Sequence, residues 1–149
     1  MEKVCVIRIR SSIKKSGKIQ RILRDLGLDK TNSCVIVNKT PAMLGTLRVA
    51  ESVITYGELD RETAKTLFER RAMVSNKKAF EWKNGELDGF VDDFFNEKKK
   101  LSDIGVKRKF NLHPPVKGFE RKGKKAAFTL KGAFGYRGEK INDLLKRMI

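Results

Sequence analysis

Residues 4–28 read VCVIRIRSSIKKSGKIQRILRDLGL, and this stretch decides the fold. Val4 to Ile9 is a β-branched run, which predicts a strand. The polar segment Arg10-Ser-Ser-Ile-Lys-Lys-Ser-Gly17 follows, with Ser16 placed to cap a helix. Ile19, Ile22, Leu23 and Leu26 then recur at i, i+3, i+4 and i+7, one apolar helix face, and Gly27 stands where that helix should end. Working outward, Cys34 to Val37 predicts a second strand. Thr40-Pro41 predicts a helix start, with a hydroxyl cap and Pro at the first helical position. Met43, Leu47, Ala50 and Ile54 line that helix and its exit, and Val53 to Tyr56 predicts a third strand closing at Gly57. The order is βαβαβ. Each helix has one apolar stripe, so both should lie on one face of a small sheet.

The remaining chain changes character. Asp60 can cap a helix to about residue 71, with Leu59 before it as a hydrophobic staple. Leu87, Phe90, Val91, Phe94 and Phe95 form an aromatic face on a helix at about 86–99, and at this spacing they read as core. Residues 100–137, rich in Lys, Arg and Gly and containing Pro114-Pro115, predict an extended, poorly self-packed segment. Ile141, Leu144, Leu145 and Met148 end the chain with an amphipathic helix at about 138–148 that must dock somewhere. The expectation is an α+β fold: a core over 1–58 and a basic C-terminal extension over 59–149.

Charge bounds the function. The chain has 149 residues, 34 Lys and Arg against 18 Asp and Glu, and a net charge of +16. Such a surplus repels itself unless a partner supplies negative charge. Residues 1–50 carry +8, 51–97 carry −4, 98–125 carry +9 and 126–149 carry +3. Two basic zones facing a polyanion therefore flank an acidic zone facing solvent or protein. The start has no apolar run before its charges, so no signal peptide is expected, and no segment reaches bilayer-spanning length. Cys5 and Cys34 each sit in apolar runs and predict buried thiols, not a disulfide framework. Two Cys and one His make a zinc site unexpected.

Three basic constellations stand out. In the first, Arg10, Ser11, Ser12, Lys14 and Lys15 lead into Lys18, Arg21 and Arg24, which lie at i, i+3, i+6 away from the apolar stripe. Amides at a helix start favour an anion, so lysines here can bracket a phosphate, the alternative being a solvated helix face. The second is Lys39-Thr40-Pro41-Ala-Met-Leu-Gly45-Thr-Leu-Arg48. Pro41, Gly45 and Arg48 share a face, and Gly inside a helix costs about 1 kcal/mol against Ala. Either a bulky partner comes close at Gly45, or the sheet packs tightly there. The third runs from Phe110 to Lys125: His113, Pro114, Lys117, Gly118, Arg121, Lys122, Lys124 and Lys125 among Phe110, Phe119 and Phe128, a pattern suited to a chain threading between RNA helices. His113 alone also reads as an ordinary structural histidine. Asp88 and Asp92, at i and i+4, read as a solvated face. There is no G-x-x-x-x-G-K-S/T loop, no G-x-G-x-x-G and no nucleophile elbow, so neither an enzyme nor a cofactor is expected.

These stretches resemble the universal large-subunit ribosomal protein family called L-thirty, whose eukaryotic relatives are called L-seven. The matching pieces are VIRIRSSIKK, IQRILRDLGL, NKTPAMLGTLRVA and VITYGEL, then FNLHPPVKGFERKG and GYRGEKINDLLKRMI. The late pieces are similar to the extension of the archaeal and eukaryotic branch. A missing long basic N-terminal arm favours the archaeal form. The resemblance implies a ferredoxin-like core, no catalysis or cofactor, and a cytoplasmic ribosome as the location. It implies binding to large-subunit ribosomal RNA near the 5S RNA, among neighbouring ribosomal proteins, with no membrane and no small-molecule substrate. By position it implies RNA contacts at Ser11, Ser12, Lys14, Lys15, Lys18, Thr40, Pro41, Gly45, Arg48, His113, Pro114, Lys117, Gly118 and Arg137. Two rivals stand beside it: an RNA-modifying or RNA-cleaving enzyme with a basic docking surface, and a DNA-compacting protein.

Overall fold

A computed structural model describes residues 2–75 and 77–149. Strand β1 (Lys3–Arg8), helix α1 (Gly17–Leu26), β2 (Ser33–Asn38), α2 (Pro41–Val49) and β3 (Ile54–Glu58) follow in the expected order. Their ends are set by local chemistry. The Ser16 side chain accepts from the Ile19 N–H, and Gly27 closes α1 in the left-handed region at φ 79°. Thr40 accepts from the Met43 N–H, with Pro41 opening α2.

The central strand is β1. It pairs antiparallel with β2, from Lys3↔Asn38 to Ile7↔Cys34, and with β3, from Val4↔Glu58 to Arg8↔Ile54. Side-chain alternation then divides the molecule. Val4, Val6, Val35 and Tyr56 pack with Leu23, Leu26 and Leu47 of the two crossover helices, so α1 and α2 share one face as expected. Cys5, Ile7, Ile9, Cys34 and Ile36 form the other face. Residues after 58 cover it with α3 (Arg61–Arg71), α4 (Glu86–Phe95) and α5 (Ile141–Met148). A sheet buried on both faces explains why Val4-Cys5-Val6-Ile7 is continuously apolar, with no side chain accessible. The two thiols sit there unbridged, Sγ to Sγ 3.2 Å.

Aromatic contacts bind this second layer. Phe68 of α3 meets Phe90 and Phe94 of α4 edge-on, with ring centroids 5.7 and 5.3 Å away, and tilts against Phe110 at 5.7 Å. Such pairs add about 0.5–1.5 kcal/mol each beyond their burial. Asp60 caps α3 through the Thr63 N–H at 2.6 Å, and Leu59 is buried beside Ala64, as a staple requires.

Two sequence expectations are corrected. Residues 100–137 are pinned to the core at intervals, at Leu101, Val106, Phe110, Ala133 and Arg137, while 116–131 stay exposed or half-buried. Phe110–Asn111 forms β4, antiparallel to the start of β2, and Gly135–Tyr136 forms β5, parallel to β3, so the strand order is β4-β2-β1-β3-β5. Phe110 and Ala133 are fully buried. The segment is held by edge pairing and single anchors, which leave no periodic trace in sequence. Gly57 also lies inside β3, paired with Cys5, and does not end it. A Cβ at this position would stand 2.0 Å from the Gly138 carbonyl oxygen, so Gly57 lets the chain entering α5 cross the strand.

Candidate nucleic-acid interface

The register decides which basic residues meet. β1 ends where β3 begins, at Arg8↔Ile54, and β5 joins β3 one residue later, at Thr55↔Gly135. The loop after β1 and the loop before β5 therefore emerge from the same end of the sheet. They bring residues 10–18 and 119–134 to one side of the molecule.

Arg8 shapes the first loop from inside. Its buried guanidinium donates to the Leu28 carbonyl at 2.8 Å, the Arg10 carbonyl at 3.0 Å and the Ser12 hydroxyl at 3.2 Å. Burial lowers the Arg8 pKa, partly offset by Asp29. The Lys15 N–H donates to the Ser12 carbonyl, Gln20 donates to the Lys15 carbonyl at 3.1 Å, and the Ser11 hydroxyl accepts from the Ile13 N–H. The loop is thus folded before any partner arrives, with Lys14 in the left-handed region at φ 64°. Lys14, Lys18 and Arg21 are exposed and have no acidic partner among the described residues. Arg10, half-buried, reaches toward the Ser52 carbonyl at 3.5 Å. Ile13, at the tip, is 78% exposed.

On α2 the two readings of Gly45 separate. A Cβ built at Gly45 meets nothing within 4 Å, and the residue is exposed. Nothing inside this chain therefore requires glycine there, which removes the tight-packing alternative. Arg48, also exposed, lies at the end of α2 that faces the first loop. Thr40 and Pro41 lie at the opposite end, about 12 Å away along a nine-residue helix. Lys39 is committed within the protein: its ammonium lies 2.6 Å from Glu2 and 3.0 Å from Glu58. These carboxylates raise its pKa, Glu2 most strongly. It is not an available cation.

The extension divides the same way. Pro114, Lys117, Gly118, Arg121, Lys122, Lys124 and Lys125 are exposed, with Lys124 held 5.3 Å from the centre of the Phe119 ring. His113 faces inward. Its Nε2 lies 3.0 Å from the Ile149 carbonyl oxygen, its Nδ1 2.7 Å from the Pro114 carbonyl, and its N–H donates to the Met148 carbonyl. It closes the C-terminus of α5, the structural reading. Arg137 is the clearest departure from a surface role. Only 4% exposed, it donates to both oxygens of Glu120, to Thr55 Oγ1 at 2.8 Å and to the Ala133 carbonyl at 2.6 Å. Its guanidinium also stacks 4.7 Å from the Phe128 ring centre. It anchors the loop; it is not offered to a partner.

The sequence reading missed Lys131. The Lys122 N–H donates to the Lys131 carbonyl at 3.0 Å, which brings Lys131 beside Arg121, Lys122 and the 62%-exposed Leu130 around a shallow pocket. No spacing rule links positions nine apart across a turn. The acidic zone is occupied: Asp92 pairs with Arg61, and Asp88 with Lys65 at 2.5 Å, joining α3 to α4. No group of three metal-ligating side chains occurs among the described residues, and no helix of the described residues is long and apolar enough to cross a membrane.

Residues 4–54 match the family model of ribosomal protein L30p/L7e. Along nearly its whole length the chain is similar to proteins named large ribosomal subunit protein uL30. That of Methanococcus vannielii is 37% identical over 150 residues, covering 97% of each chain. That of Metallosphaera sedula is 36% identical over 155 residues, covering both chains completely. That of Nanoarchaeum equitans is 34% identical over 150 residues, again covering 97% of each. The sheet with two helices on one face, the two basic loops at one end of it and these similarities lead to one assignment: this chain belongs to the L30p/L7e family of ribosomal proteins.

Proposed function

We propose that this protein is a structural constituent of the large ribosomal subunit in cytoplasmic ribosomes, where it binds large-subunit ribosomal RNA through two basic loops and the outer face of α2. One observation carries the RNA reading. Cations more than a hundred positions apart in sequence, Lys14 and Lys18 in and just after one loop and Lys122 and Lys125 in the other, emerge from one end of the sheet without carboxylate partners among the described residues, while Asp88 and Asp92 are paired between α3 and α4. Phosphates neutralise such an array, and a folded loop loses little entropy on meeting them. Gly45 and Arg48 add a close-approach face on α2, where RNA backbone can lie against the helix with a guanidinium beside it. The mechanism is positional: the protein holds RNA segments at a fixed spacing and carries out no chemistry. The family resemblance points to the neighbourhood of 5S RNA and to contacts with other ribosomal proteins.

The rival enzyme needs a free acid–base group near the basic loops. Asp88 and Asp92 are ion-paired on α4, and His113 faces the chain terminus. No specific observation favours a DNA-compacting role. Sucrose-gradient sedimentation of a lysate, followed by detection of this chain, is the test. Stoichiometric co-migration with large subunits in moderate salt is expected; free protein at the top of the gradient contradicts the proposal.

A further inference from the structure

The outer edge of β2 is only half covered. β4 pairs with Ser33 and Cys34 and goes no further. The Lys39 N–H donates to the Glu2 carbonyl across the β1 side, and alternate residues face the same side, so Val37 and Val35 also face β1. Ile36 and Asn38 therefore turn their N–H groups outward, where no described residue pairs with them. An unpaired edge of this kind is a template for another strand.

The chain does not fill this edge itself. Continuing β4 backward from Phe110↔Cys34 would bring Arg108 opposite Ile36. Instead Arg108 donates to the Asp25 carbonyl at 3.3 Å, Lys109 pairs with Asp29 at 2.6 Å, and the Lys107 N–H donates to the Met73 carbonyl at 2.8 Å. These anchors draw the chain away, and a groove opens along Ile36–Asn38. One wall is the start of α2, with Met43. The other is Phe94, Leu101 and Val106. An incoming strand would direct alternate side chains to the two walls, and both are apolar. Its rim is basic: Lys100 and Arg108 line it with no carboxylate partner among the described residues, while Glu97 is paired with Lys3.

We infer that this edge receives an extended segment of a neighbouring protein, apolar at alternate residues and acidic at its flanks. Nucleic acid fits less well, because a sheet edge offers alternating donors and acceptors spaced for a polypeptide backbone between apolar walls. The inference rests on the ribosomal reading above, since the neighbour is then another protein of the same subunit.

The test uses whole subunits from cells in which this chain carries a photo-reactive benzophenone side chain at Lys100, on the groove rim. The expected product is a cross-link to one ribosomal protein, mapped to an extended segment with apolar alternation and acidic flanks. Ser102→Glu, an exposed position on the same groove, should cut that yield severalfold by charge repulsion while the chain stays in the subunit. A cross-link to ribosomal RNA, to a helical or basic segment, or to this chain's own residues 106–109 overturns the inference and leaves the ribosomal reading standing. So does an absence of cross-linking in subunits that contain the chain. A chain missing from the subunits overturns both.

Discussion

Arg137 and Glu120 form a two-pronged ion pair inside the protein: Nη1 lies 2.6 Å from Oε1 and Nη2 lies 3.2 Å from Oε2. The arginine side chain is 1% exposed. Between them these residues close the loop 120–137, and Arg137 also ties it to β3 through Thr55. The basic side chains of that loop are held in place by a cation that never reaches the surface.

Arg137→Ala should therefore act on stability. It leaves Glu120 without its nearest cation and the Thr55 hydroxyl and Ala133 carbonyl without a donor. Breaking a buried pair from one side typically costs about 3–5 kcal/mol. Urea unfolding should show this loss. Arg137→Lys should recover only part of it, since an ammonium cannot make the fork. A variant that unfolds like the parent but binds RNA weakly would return Arg137 to the interface.

Gly45→Ala separates folding from binding by sign. The added methyl group meets open space, and replacing Gly by Ala within a helix stabilises by about 1 kcal/mol. The free protein should melt higher while RNA affinity falls, and Gly45→Leu should lower affinity further. Destabilisation on thermal melting would mean that the position packs against something after all.

Arg48→Ala should weaken RNA binding and leave the melting temperature within error, because the side chain is exposed on α2. Filter binding beside a thermal melt reads both. Unchanged affinity removes Arg48 from the interface.

Acid should loosen the β3 edge. Burial pushes the Glu58 carboxyl up, but hydrogen bonds from Tyr136 at 2.5 Å and Lys39 outweigh it and hold the group below the ordinary glutamate range. A depressed folded pKa contributes stability that is present above the unfolded value, about 4.3, and is lost as pH falls through the folded value. Lys39, shifted upward, has the opposite sign: its contribution is complete below the ordinary lysine value and fades as pH rises past the folded one. Glu58→Gln should flatten the acid limb of a stability–pH curve measured by denaturant midpoint. An unchanged acid limb contradicts this role for Glu58.

A fragment ending at residue 58 should not behave as an independent unit. Cys5, Ile7, Ile9, Cys34 and Ile36 form a sheet face that only later residues cover. Light scattering and dye binding should report aggregation or exposed apolar surface. A monomeric fragment with a cooperative melt would show that residues 1–58 suffice.

Much of the core was legible because its signals are local. Ser16, Thr40 and Asp60 cap the helices they were expected to cap, and the stripes at Leu23, Leu26 and Leu47 face the sheet. What escaped the sequence is long-range. Arg137 looks like any arginine in a Lys- and Gly-rich tract until β5 brings it to Thr55, 82 positions away. His113 and Lys39 hold partners within the chain, at Ile149 and Glu58, which charge pattern cannot reveal. Lys131 comes beside Lys122 through a backbone bond alone.

The most direct test is the salt dependence of binding to a large-subunit RNA fragment, for the parent and for a variant with Lys14, Lys18, Lys122 and Lys125 changed to Ala. Log affinity should fall steeply and linearly with log salt. In the variant the slope should shrink by about 0.7–0.9 for each phosphate no longer neutralised, with the melting temperature unchanged. A parent slope near zero, or a variant slope equal to the parent's, would contradict the claim that these two loops hold the RNA.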